Sequence, residues 1–407
     1  MTAVPGSSRA LRLTRPAHVY VHVPFCVRKC AYCDFVSYPL ALTGGNQAVH
    51  CYLEALAREA SWYAERLDPL PVRTVYLGGG TPSLLSPSQL RQFMAVLSGA
   101  LGPWAEGAEV TVEVNPGTID AAKFSALREA GVNRLSLGVQ SFDEGLLRRV
   151  GRFVASGAVY AAVQEAREAG FANLSLDLMF GLPGQTVGSL REDLRRAVDL
   201  APEHLSVYAL TLEEGTPLAE EVRAGRTALP GEEAEAEMFA VVNEFLPEAG
   251  YRHYEVSNFA RPGFASVHNL AYWHNEDYLA LGPAGGGHLG FVRYRNCPGL
   301  ADYARLLQEE REEAARAGLP LSPAAVEVEQ LSDRQAMGET AFLALRLLEE
   351  GLNRASFRRR FGRDPLEVWS EEIARLSGEG LVAVAPEAVR LTPAGLPLAN
   401  RVFSAFV

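Results

Sequence analysis

The sequence has no excess of positive charge. Its 407 residues contain 38 Lys and Arg against 49 Asp and Glu, which gives a formal net charge of −11 at pH 7. Proteins that bind nucleic acid through its phosphates present a basic face, and no basic patch stands out along this chain. The composition therefore argues against nucleic acid as a partner.

Long apolar runs are also missing. A transmembrane helix needs roughly 18–20 consecutive apolar residues, and no stretch of the sequence approaches that length. Residues 1–16 are polar, small and mildly basic, without the apolar segment of a signal peptide. We therefore expect a cytoplasmic protein in which residues 1–16 form a flexible tail.

Cysteine is scarce, but three of the five cysteines are close together. Cys26, Cys30 and Cys33 lie within eight residues, directly after an apolar stretch that alternates like a strand. A closed zinc site needs four ligands, and neither Cys51 nor Cys297 has the spacing of a second zinc-binding pair. Three thiolates can instead hold three irons of a 4Fe–4S cluster and leave the fourth iron open to a small molecule. An iron–sulfur cluster is the main prediction, and a zinc site is the alternative.

The rest of the chain predicts alternating strands and helices. This order is typical of a parallel α/β architecture. In barrels of this kind the loops at the C-terminal ends of the strands converge on one mouth, so the chemistry is expected there. The predicted strands are 18–24, 72–78, 109–114, 134–140, 173–179 and 204–211, and the predicted helices are about 48–66, 87–101, 121–131, 157–170 and 186–200.

Several predicted strand ends carry residues that can bind a ligand. Three glycines at 78–80 precede Thr81 and allow a ligand to approach the backbone closely. Glu113 and Gln140 place a carboxylate and an amide at consecutive strand ends, where each can hydrogen-bond a ribose or an amino-acid group. Asp177 is the one charge in an apolar strand, so a ligand or a fixed donor must meet it. Taken singly, each position can also be a tight turn or a satisfied strand-end residue.

The C-x3-C-x2-C spacing, with an aromatic residue before the last cysteine, resembles the radical S-adenosylmethionine (SAM) superfamily. The order of the triad, Gly-Gly-Gly-Thr-Pro, Gly-Val-Gln-Ser-Phe and Asp-Leu-Met-Phe-Gly-Leu-Pro is similar to its coproporphyrinogen oxidase-like branch, which includes oxygen-independent oxidases and haem chaperones of HemW type. The resemblance implies a partial (β/α)6 barrel, and SAM bound through its amino and carboxylate groups to the open iron of a 4Fe–4S cluster. The residues that it implies at the SAM pocket are Tyr20, Tyr32, Gly79, Gly80, Thr81, Glu113, Gln140, Arg152, Asp177 and Ala209.

Two features favour the haem chaperones within this branch. The oxidases commonly carry a further cysteine two residues past the triad, and this position is Phe35 here. The sequence His-Asn-Leu-Ala-Tyr-Trp at 268–273 matches the chaperones' His-Asn-x-x-Tyr-Trp signature, in which an imidazole can ligate haem iron and aromatic rings can face the macrocycle. His22 and His288 are alternative haem ligands, and packing into the barrel core is the alternative for the whole segment. The residues predicted to associate with haem are His268, Asn269, Tyr272 and Trp273.

The sequence predicts a second folded part after the barrel. We predict the barrel and its haem-associated segment over 17–300 and a helical, winged-helix-like domain over 301–407, with helices at 333–350, 355–361 and 366–378 and then a hairpin. Such domains often bind DNA, but the acidic balance of this chain favours a lid or a partner-docking role.

Three functions are compatible with these features. The first is a haem chaperone that binds haem b and transfers it to apo-haemoproteins of the respiratory chain, with transient contacts to membrane proteins. The second is an enzyme that decarboxylates coproporphyrinogen III oxidatively by radical chemistry. The third is a DNA-binding regulator. Phe35 and the 268–273 segment favour the first.

Overall fold

The computed structural model of the protein describes residues 14–309 and 319–407. The strands in these ranges are β1 (His18–Val23), β2 (Phe25–Cys26), β3 (Tyr38–Pro39), β4 (Val72–Gly79), β5 (Trp104–Val114), β6 (Arg134–Gln140), β7 (Leu174–Phe180), β8 (His204–Ala209), β9 (Arg252–Glu255), β10 (Asn258–Ala260), β11 (Tyr278–Leu281), β12 (Gly286–Leu289), β13 (Val292–Asn296), β14 (Ala325–Gln330), β15 (Leu352–Asn353), β16 (Val382–Val384) and β17 (Ala388–Leu391). The α-helices are α1 (Asn46–Arg66), α2 (Pro87–Leu101), α3 (Ala121–Glu129), α4 (Glu144–Arg149), α5 (Ser156–Glu168), α6 (Val187–Asp199), α7 (Pro217–Arg223), α8 (Glu232–Glu248), α9 (Val267–Trp273), α10 (Leu300–Leu306), α11 (Asp333–Ala344), α12 (Arg354–Phe361), α13 (Pro365–Val368), α14 (Ser370–Gly378) and α15 (Ala399–Phe403).

One large sheet forms the barrel. Its order is β14-β13-β12-β11-β1-β4-β5-β6-β7-β8-β10-β9, and the strands from β11 through β8 are parallel to their neighbours. The six central strands are the six that the sequence predicts, and the helices between them match within a few residues. The predicted α/β fold with a partial (β/α)6 barrel is confirmed.

The first strand shows why the chain folds this way. Successive side chains of a strand point to opposite faces, and in β1 the valines at 19, 21 and 23 are buried in the main core with residues of α1. The intervening His18, Tyr20 and His22 are on the other face, inside the barrel, where they hydrogen-bond other interior side chains. The same strand therefore supplies apolar packing outside and polar groups inside.

The helices begin where the sequence provides caps. Ser86 and Gln89 form a reciprocal capping box before α2, with Pro87 at the first helical position, and Thr186 and Ser189 do the same before α6. These side chains satisfy backbone N–H groups that a helix start leaves unpaired. They fix the helix starts close to where the sequence predicts them.

The sheet continues beyond residue 300. Strands β12 to β14 add antiparallel pairs to β11, so β14, which ends at Gln330, belongs to the barrel sheet. Residues 1–13 of the predicted tail lie outside the described residues. Residues 14–16 lie on the barrel, where Thr14 pairs with Asp68 and Arg15 donates to the Leu70 carbonyl at 2.8 Å.

The C-terminal unit has its own core. Its order is helix, strand, three helices, hairpin and a short last helix, with β15, β17 and β16 in one small antiparallel sheet. This arrangement resembles a winged helix. Trp369 and Phe357 are fully buried in this second core. The predicted helix over 333–350 ends at Ala344, and the residues after it contact the barrel instead.

The C-terminal unit packs against the barrel segment that contains α9. The Arg346 guanidinium lies 4.3 Å from the centre of the Trp273 ring and pairs with the fully buried Glu255 at 3.3 Å. Asn275 donates to Thr340 at 3.0 Å, which adds a buried hydrogen bond to this contact. Among the described residues, no helix combines the length and the apolar character needed to cross a bilayer.

Candidate functional site

The three predicted cluster ligands lie on one loop at the C-terminal end of β1. Residues 26–35, called the cluster loop below, begin at Cys26 in β2, which pairs with β3. The middle of the loop is also fixed, because the Ala31 N–H donates to the Val150 carbonyl and the Ala31 carbonyl accepts from the Leu218 N–H, each at 2.9 Å. The loop is therefore held by its ends and by two other connections of the barrel mouth.

The three thiols of the cluster loop are free to bind a metal centre. Cys26, Cys30 and Cys33 are free and partly exposed, yet within 14–309 and 319–407 no three His, Cys, Asp or Glu side chains are close enough together to hold one metal ion. In a 4Fe–4S cluster each thiolate binds a different iron, so its cysteines lie further apart than the ligands of one ion. The triad is therefore compatible with the predicted cluster, and the three cysteines as its ligands stay a prediction.

A cavity of about 440 Å³ opens beside the cluster loop. The carboxyl ends of the central strands surround it, as expected for a barrel of this type. Every predicted SAM residue except Tyr20 lines it. The predicted residues on its wall are Cys26, Cys30, Cys33, Tyr32, Gly79, Gly80, Thr81, Glu113, Gln140, Arg152, Asp177 and Ala209.

Residues 78–81, called the glycine turn below, join the end of β4 to the end of β1 and the start of β2. The Gly80 N–H donates to the Val23 carbonyl at 2.8 Å, and the Thr81 N–H donates to the Phe25 carbonyl at 2.6 Å. Gly79 has a φ of +101°, a conformation that favours glycine. The Thr81 hydroxyl lies 3.6 Å from the Cys26 sulfur, so this turn directly contacts the start of the cluster loop.

Replacing Gly80 with alanine is expected to weaken SAM binding about tenfold or more. An added Cβ would lie 2.5 Å from the Phe25 carbonyl oxygen and 2.6 Å from that of Val23. Backbone atoms cannot rotate away, so the cluster loop must shift, at the cost of about 1–3 kcal/mol that overpacking brings. Calorimetric titration of the reconstituted protein with SAM measures the effect. Gly99→Ala in α2, where a Cβ has open space, is the control, and equal affinities in the two variants would contradict the expectation.

Two half-buried carboxylates lie on the cavity wall. Glu113 accepts from the Tyr76 hydroxyl at 2.9 Å and from the Gly79 N–H at 3.1 Å, and burial raises its pKa to about 7. Asp177 accepts from the Ser136 hydroxyl at 2.9 Å and the Ser175 hydroxyl at 3.2 Å, and burial raises its pKa as well. The fixed donors that Asp177 requires are thus one serine on its own strand, β7, and one on the neighbouring β6.

Arg152 is buried in the cavity wall. Its guanidinium donates to the Gly138 carbonyl, but its Nε is buried without a partner in the part of the chain described. A buried donor without a partner is costly, and a carboxylate in the cavity would satisfy it. Arg148 differs, because it is exposed and pairs with Glu144 at 3.3 Å.

Gln140 has a backbone conformation that is uncommon for a residue with a side chain. Its φ is +69°, and its side-chain oxygen accepts from the Tyr208 hydroxyl at 3.1 Å. Strained residues of this type concentrate at ligand sites. Both residues line the cavity.

Tyr20 is the predicted SAM residue that the structure places elsewhere. Its hydroxyl lies 2.9 Å from Nδ1 of His22, and its ring stacks on Tyr76 with the centres 6.3 Å apart. Tyr20 does not line the cavity in this arrangement. Its contact with SAM stays a prediction.

The predicted haem segment lies at the opposite end of the barrel. His268 is 1% exposed, and its ring nitrogens lie 2.7 Å from the Thr74 hydroxyl and 2.8 Å from the Tyr272 hydroxyl. Thr74 and its neighbour His18 are at the N-terminal ends of their strands, so α9 packs under the floor of the barrel. Burial lowers the pKa of His268 to about 3. Neither ring nitrogen is available to a haem iron in this geometry.

The other residues of this segment are half-buried, and the alternative ligands His22 and His288 are buried. Ser266 caps the start of α9, where its hydroxyl accepts from the backbone N–H of Asn269 at 3.3 Å. Trp273 faces Arg346 of the C-terminal unit. His288 is 1% exposed, with Nδ1 3.3 Å from the Glu276 carbonyl oxygen. The structure thus brings the cluster loop and the SAM residues together and separates the predicted haem residues from them.

Several residues of the cavity were not predicted from the sequence. Ser136 could have been found, because it alternates along β6 with Gly138 and Gln140 and so faces the same side. Others come from loops, where no periodicity indicates direction. The additional lining residues include Arg28, Lys29, Ser136, Met179, Tyr208 and Glu213.

Comparisons with known proteins agree with this geometry. The family model of the radical SAM superfamily matches residues 20–197, and that of the HemN C-terminal domain matches residues 331–398. The heme chaperone HemW of Bacillus subtilis is 37% identical over 388 residues, which cover 95% of this chain and 98% of that protein. The HemW of Lactococcus lactis is 35% identical over 97% of this chain and 98% of that protein.

A solved structure has the same fold over nearly the whole chain. The coproporphyrinogen III oxidase HemN from Escherichia coli, a radical SAM enzyme, matches with a TM-score of 0.82 and 25% identity over 97% of this chain and 90% of that chain. The radical SAM fold implies a 4Fe–4S cluster and SAM, for which the triad and the cavity supply a fitting site. With its length matched almost completely by two HemW proteins, this chain belongs to the HemW family of radical SAM proteins.

Proposed function

We propose that this protein is a haem chaperone that takes up haem b and hands it to apo-haemoproteins. The observation that carries the proposal is the likeness to proteins named heme chaperone HemW, which spans 98% of the Bacillus subtilis protein. The recipients in this proposal are apo-haemoproteins of the respiratory chain, reached from the cytoplasm through transient contacts with membrane proteins.

The residues of the cavity have separate tasks in this proposal. Cys26, Cys30 and Cys33 hold the 4Fe–4S cluster, which when bound supplies an open iron for the amino and carboxylate groups of SAM. Arg152 offers its unpaired Nε to the carboxylate of SAM. Glu113 accepts hydrogen bonds from SAM, and the buried Met179 helps to exclude water from the wall.

The oxidase is the second candidate function, because the fold matches HemN closely. Phe35 argues against it. The cluster loop has no fourth thiol there, and the Phe35 side chain is 63% exposed at the rim of the cavity. An exposed aromatic residue beside the cluster is better suited to contact a flat apolar ligand than to support a reaction deep in the barrel.

The rim of the cavity, and not the floor, is the haem site that the surface supports best. Phe35 and Phe153 are the two phenylalanines among the described residues with large exposure, at 63% and 64%. Both belong to the same rim, because Phe35 lines the cavity with Arg28 and the Arg28 guanidinium lies 4.9 Å from the centre of the Phe153 ring. Val27, between Cys26 and Arg28, is also 62% exposed.

This rim matches the chemistry of haem. A haem is a flat apolar macrocycle with two carboxylates, and exposed aromatic faces beside cations can bind both parts. Arg28 and Lys29 are exposed next to the apolar side chains. The floor segment has the opposite character, because His268 is enclosed and both its ring nitrogens are occupied.

The proposal predicts that the double variant Phe35→Ala, Phe153→Ala binds haem about tenfold more weakly than the wild type or worse. Each lost aromatic contact is worth about 0.5–1.5 kcal/mol beyond area burial, and tenfold corresponds to 1.4 kcal/mol. Anaerobic titration of the reconstituted protein with haem, followed by the Soret band, gives the affinity. Leu398→Ala, at an exposed apolar position of the C-terminal unit, is the matched control.

The same sample tests the alternatives. His268→Gln at the floor should bind haem like the wild type, and a selective loss in that variant would return the site to the 268–273 segment. A coproporphyrinogen assay is run beside the titration. Formation of vinyl groups by a wild-type protein that takes up no haem would overturn the chaperone function itself.

A further inference from the structure

His22 lies behind the cluster loop with both ring nitrogens occupied. Its Nε2 is 2.7 Å from the Val36 carbonyl oxygen and its Nδ1 is 2.9 Å from the Tyr20 hydroxyl. A carbonyl can only accept, so Nε2 carries the proton and Nδ1 accepts from Tyr20. The side chain is 4% exposed, and burial lowers its pKa, which agrees with a neutral ring in one tautomer.

Three surrounding elements fix the position of His22. A Cβ on Gly79 would overlap the imidazole, so the ring packs directly on the backbone of the glycine turn. The His22 carbonyl accepts from the Tyr52 hydroxyl of α1 at 2.9 Å. Gly282, with a φ of +89°, leaves no room for a side chain against the same carbonyl. The ring therefore has no freedom to turn while these contacts persist.

His22 also fixes the residues that follow the cysteine triad, through its hydrogen bond to Val36. Val36 lies three residues after Cys33 and two before Tyr38, which pairs β3 with β2. The hydrogen bond from His22 fixes the return of the cluster loop to the barrel on the side of Cys33. The packing of the same ring on Gly79 ties this point to the glycine turn on the wall of the SAM cavity.

We propose that His22 is a positioning residue that sets the cluster loop against the glycine turn, so that the open iron faces the SAM cavity. The proposal rests on the cluster and SAM of the proposed function. His22 does not line the cavity, and it acts through Val36 and Gly79. Its occupied nitrogens also give it no role as a haem ligand.

Two near-isosteric variants test which nitrogen matters. Glutamine can place its amide nitrogen where Nε2 lies and still donate to Val36, whereas asparagine reaches the Nδ1 position near Tyr20 and falls short of Val36. We expect His22→Gln to bind SAM within about threefold of the wild type and His22→Asn to bind it about tenfold more weakly, as expected when about 1.4 kcal/mol is lost. Iron content should stay unchanged in both.

Calorimetric titration with SAM measures the affinities on anaerobically reconstituted protein. Electron paramagnetic resonance of the reduced cluster gives a second readout, since the spectral change that SAM induces should persist in His22→Gln and be lost or altered in His22→Asn. A merely structural role would lower thermal stability in both variants and leave these two readouts equal. Equal SAM affinity in the two variants would overturn the proposal.

The native protein provides a measurement that does not depend on folding of a variant. Nitrogen-15 spectra of histidine-labelled protein should show His22 neutral with its proton on Nε2 between pH 7 and pH 8, since its pKa is lowered. Tyr20→Phe identifies the signal by shifting Nδ1. A protonated ring, or a proton on Nδ1, would overturn the assignment. If the wild type takes up no cluster or no SAM, the proposed function fails instead, so the two failures are distinguishable.

Discussion

Changing Cys30 to alanine is expected to abolish the iron–sulfur absorbance of the reconstituted protein and, with it, the binding of SAM. The cluster has three thiolates available on the cluster loop, already one fewer than the four of ordinary ligation. Removing the middle thiol leaves Cys26 and Cys33, and two thiolates cannot hold the cubane. The other two cysteines of the chain, Cys51 and Cys297, do not line the cavity and so cannot replace the lost thiolate.

The control for this variant is Cys51→Ala. Cys51 is exposed on α1, away from the cavity wall, so its removal should leave iron and sulfide content near four each per chain. Visible absorbance with iron and sulfide analysis checks both variants. An unchanged spectrum in Cys30→Ala, or one zinc per chain in the wild type with no sulfide, would refute the assignment of the ligands.

The barrel could be predicted from the sequence because its strands and its helices each have a recognisable sequence pattern. Buried parallel strands read as apolar runs, and β4 and β7 were predicted to within one residue at each end. The helices begin at capping residues that are visible in the sequence, as at Ser86 before α2. Glu113, Gln140 and Asp177 follow from one rule, that the strand ends of a parallel barrel meet at one mouth. The rest of the predicted SAM residues come from the resemblance to the radical SAM superfamily.

Local sequence patterns could not predict at which end of the barrel the 268–273 segment lies. Its location depends on β11, which returns to pair in parallel with β1 so that Tyr278 stands beside His18. That long-range pairing brings α9 under the N-terminal ends of the strands. A signature shows which residues recur together, but it does not show at which end of a barrel they lie.

Side-chain partners inside the barrel were equally hidden. Tyr20 alternates correctly for an interior residue, yet the sequence cannot show that its hydroxyl bonds His22 and not a ligand. The same holds for Arg152, whose burial depends on the Gly138 carbonyl of the neighbouring strand end. Pairings of this kind are set by three-dimensional packing between residues that are distant in sequence.

Replacing Glu59 with alanine is expected to lower the free energy of unfolding by about 3–5 kcal/mol, because several buried donors lose their acceptor and a cavity forms. Glu59 in α1 is fully buried and accepts four hydrogen bonds. The donors are the Gly282 N–H at 2.8 Å, the Asn296 amide at 2.8 Å, the Tyr303 hydroxyl at 2.6 Å and the Ser322 hydroxyl at 2.9 Å. Chemical denaturation of the protein without its cluster measures the loss.

Glu59→Gln keeps the size of the side chain and removes its ionisation, so it isolates the effect of the Glu59 charge on stability. Burial raises the pKa of Glu59 to about 7 from 4.5, so the folded state holds this proton more tightly than the unfolded state. The contribution of the group to stability is therefore fully present below about pH 4.5 and is lost as the pH rises through 7. Between pH 5 and pH 8 the free energy of unfolding of the wild type should fall by about 2–3 kcal/mol relative to that of Glu59→Gln.

The same carboxylate connects stability to the site. Glu59 holds the N–H of Gly282, and the backbone of Gly282 packs on the His22 carbonyl. Loss of the carboxylate should therefore loosen the support of His22 as well as the fold, and Glu59→Ala should bind SAM more weakly even at temperatures where it remains folded. A variant that loses stability and keeps the SAM affinity of the wild type would show that the two are uncoupled and that the position of His22 does not depend on Gly282.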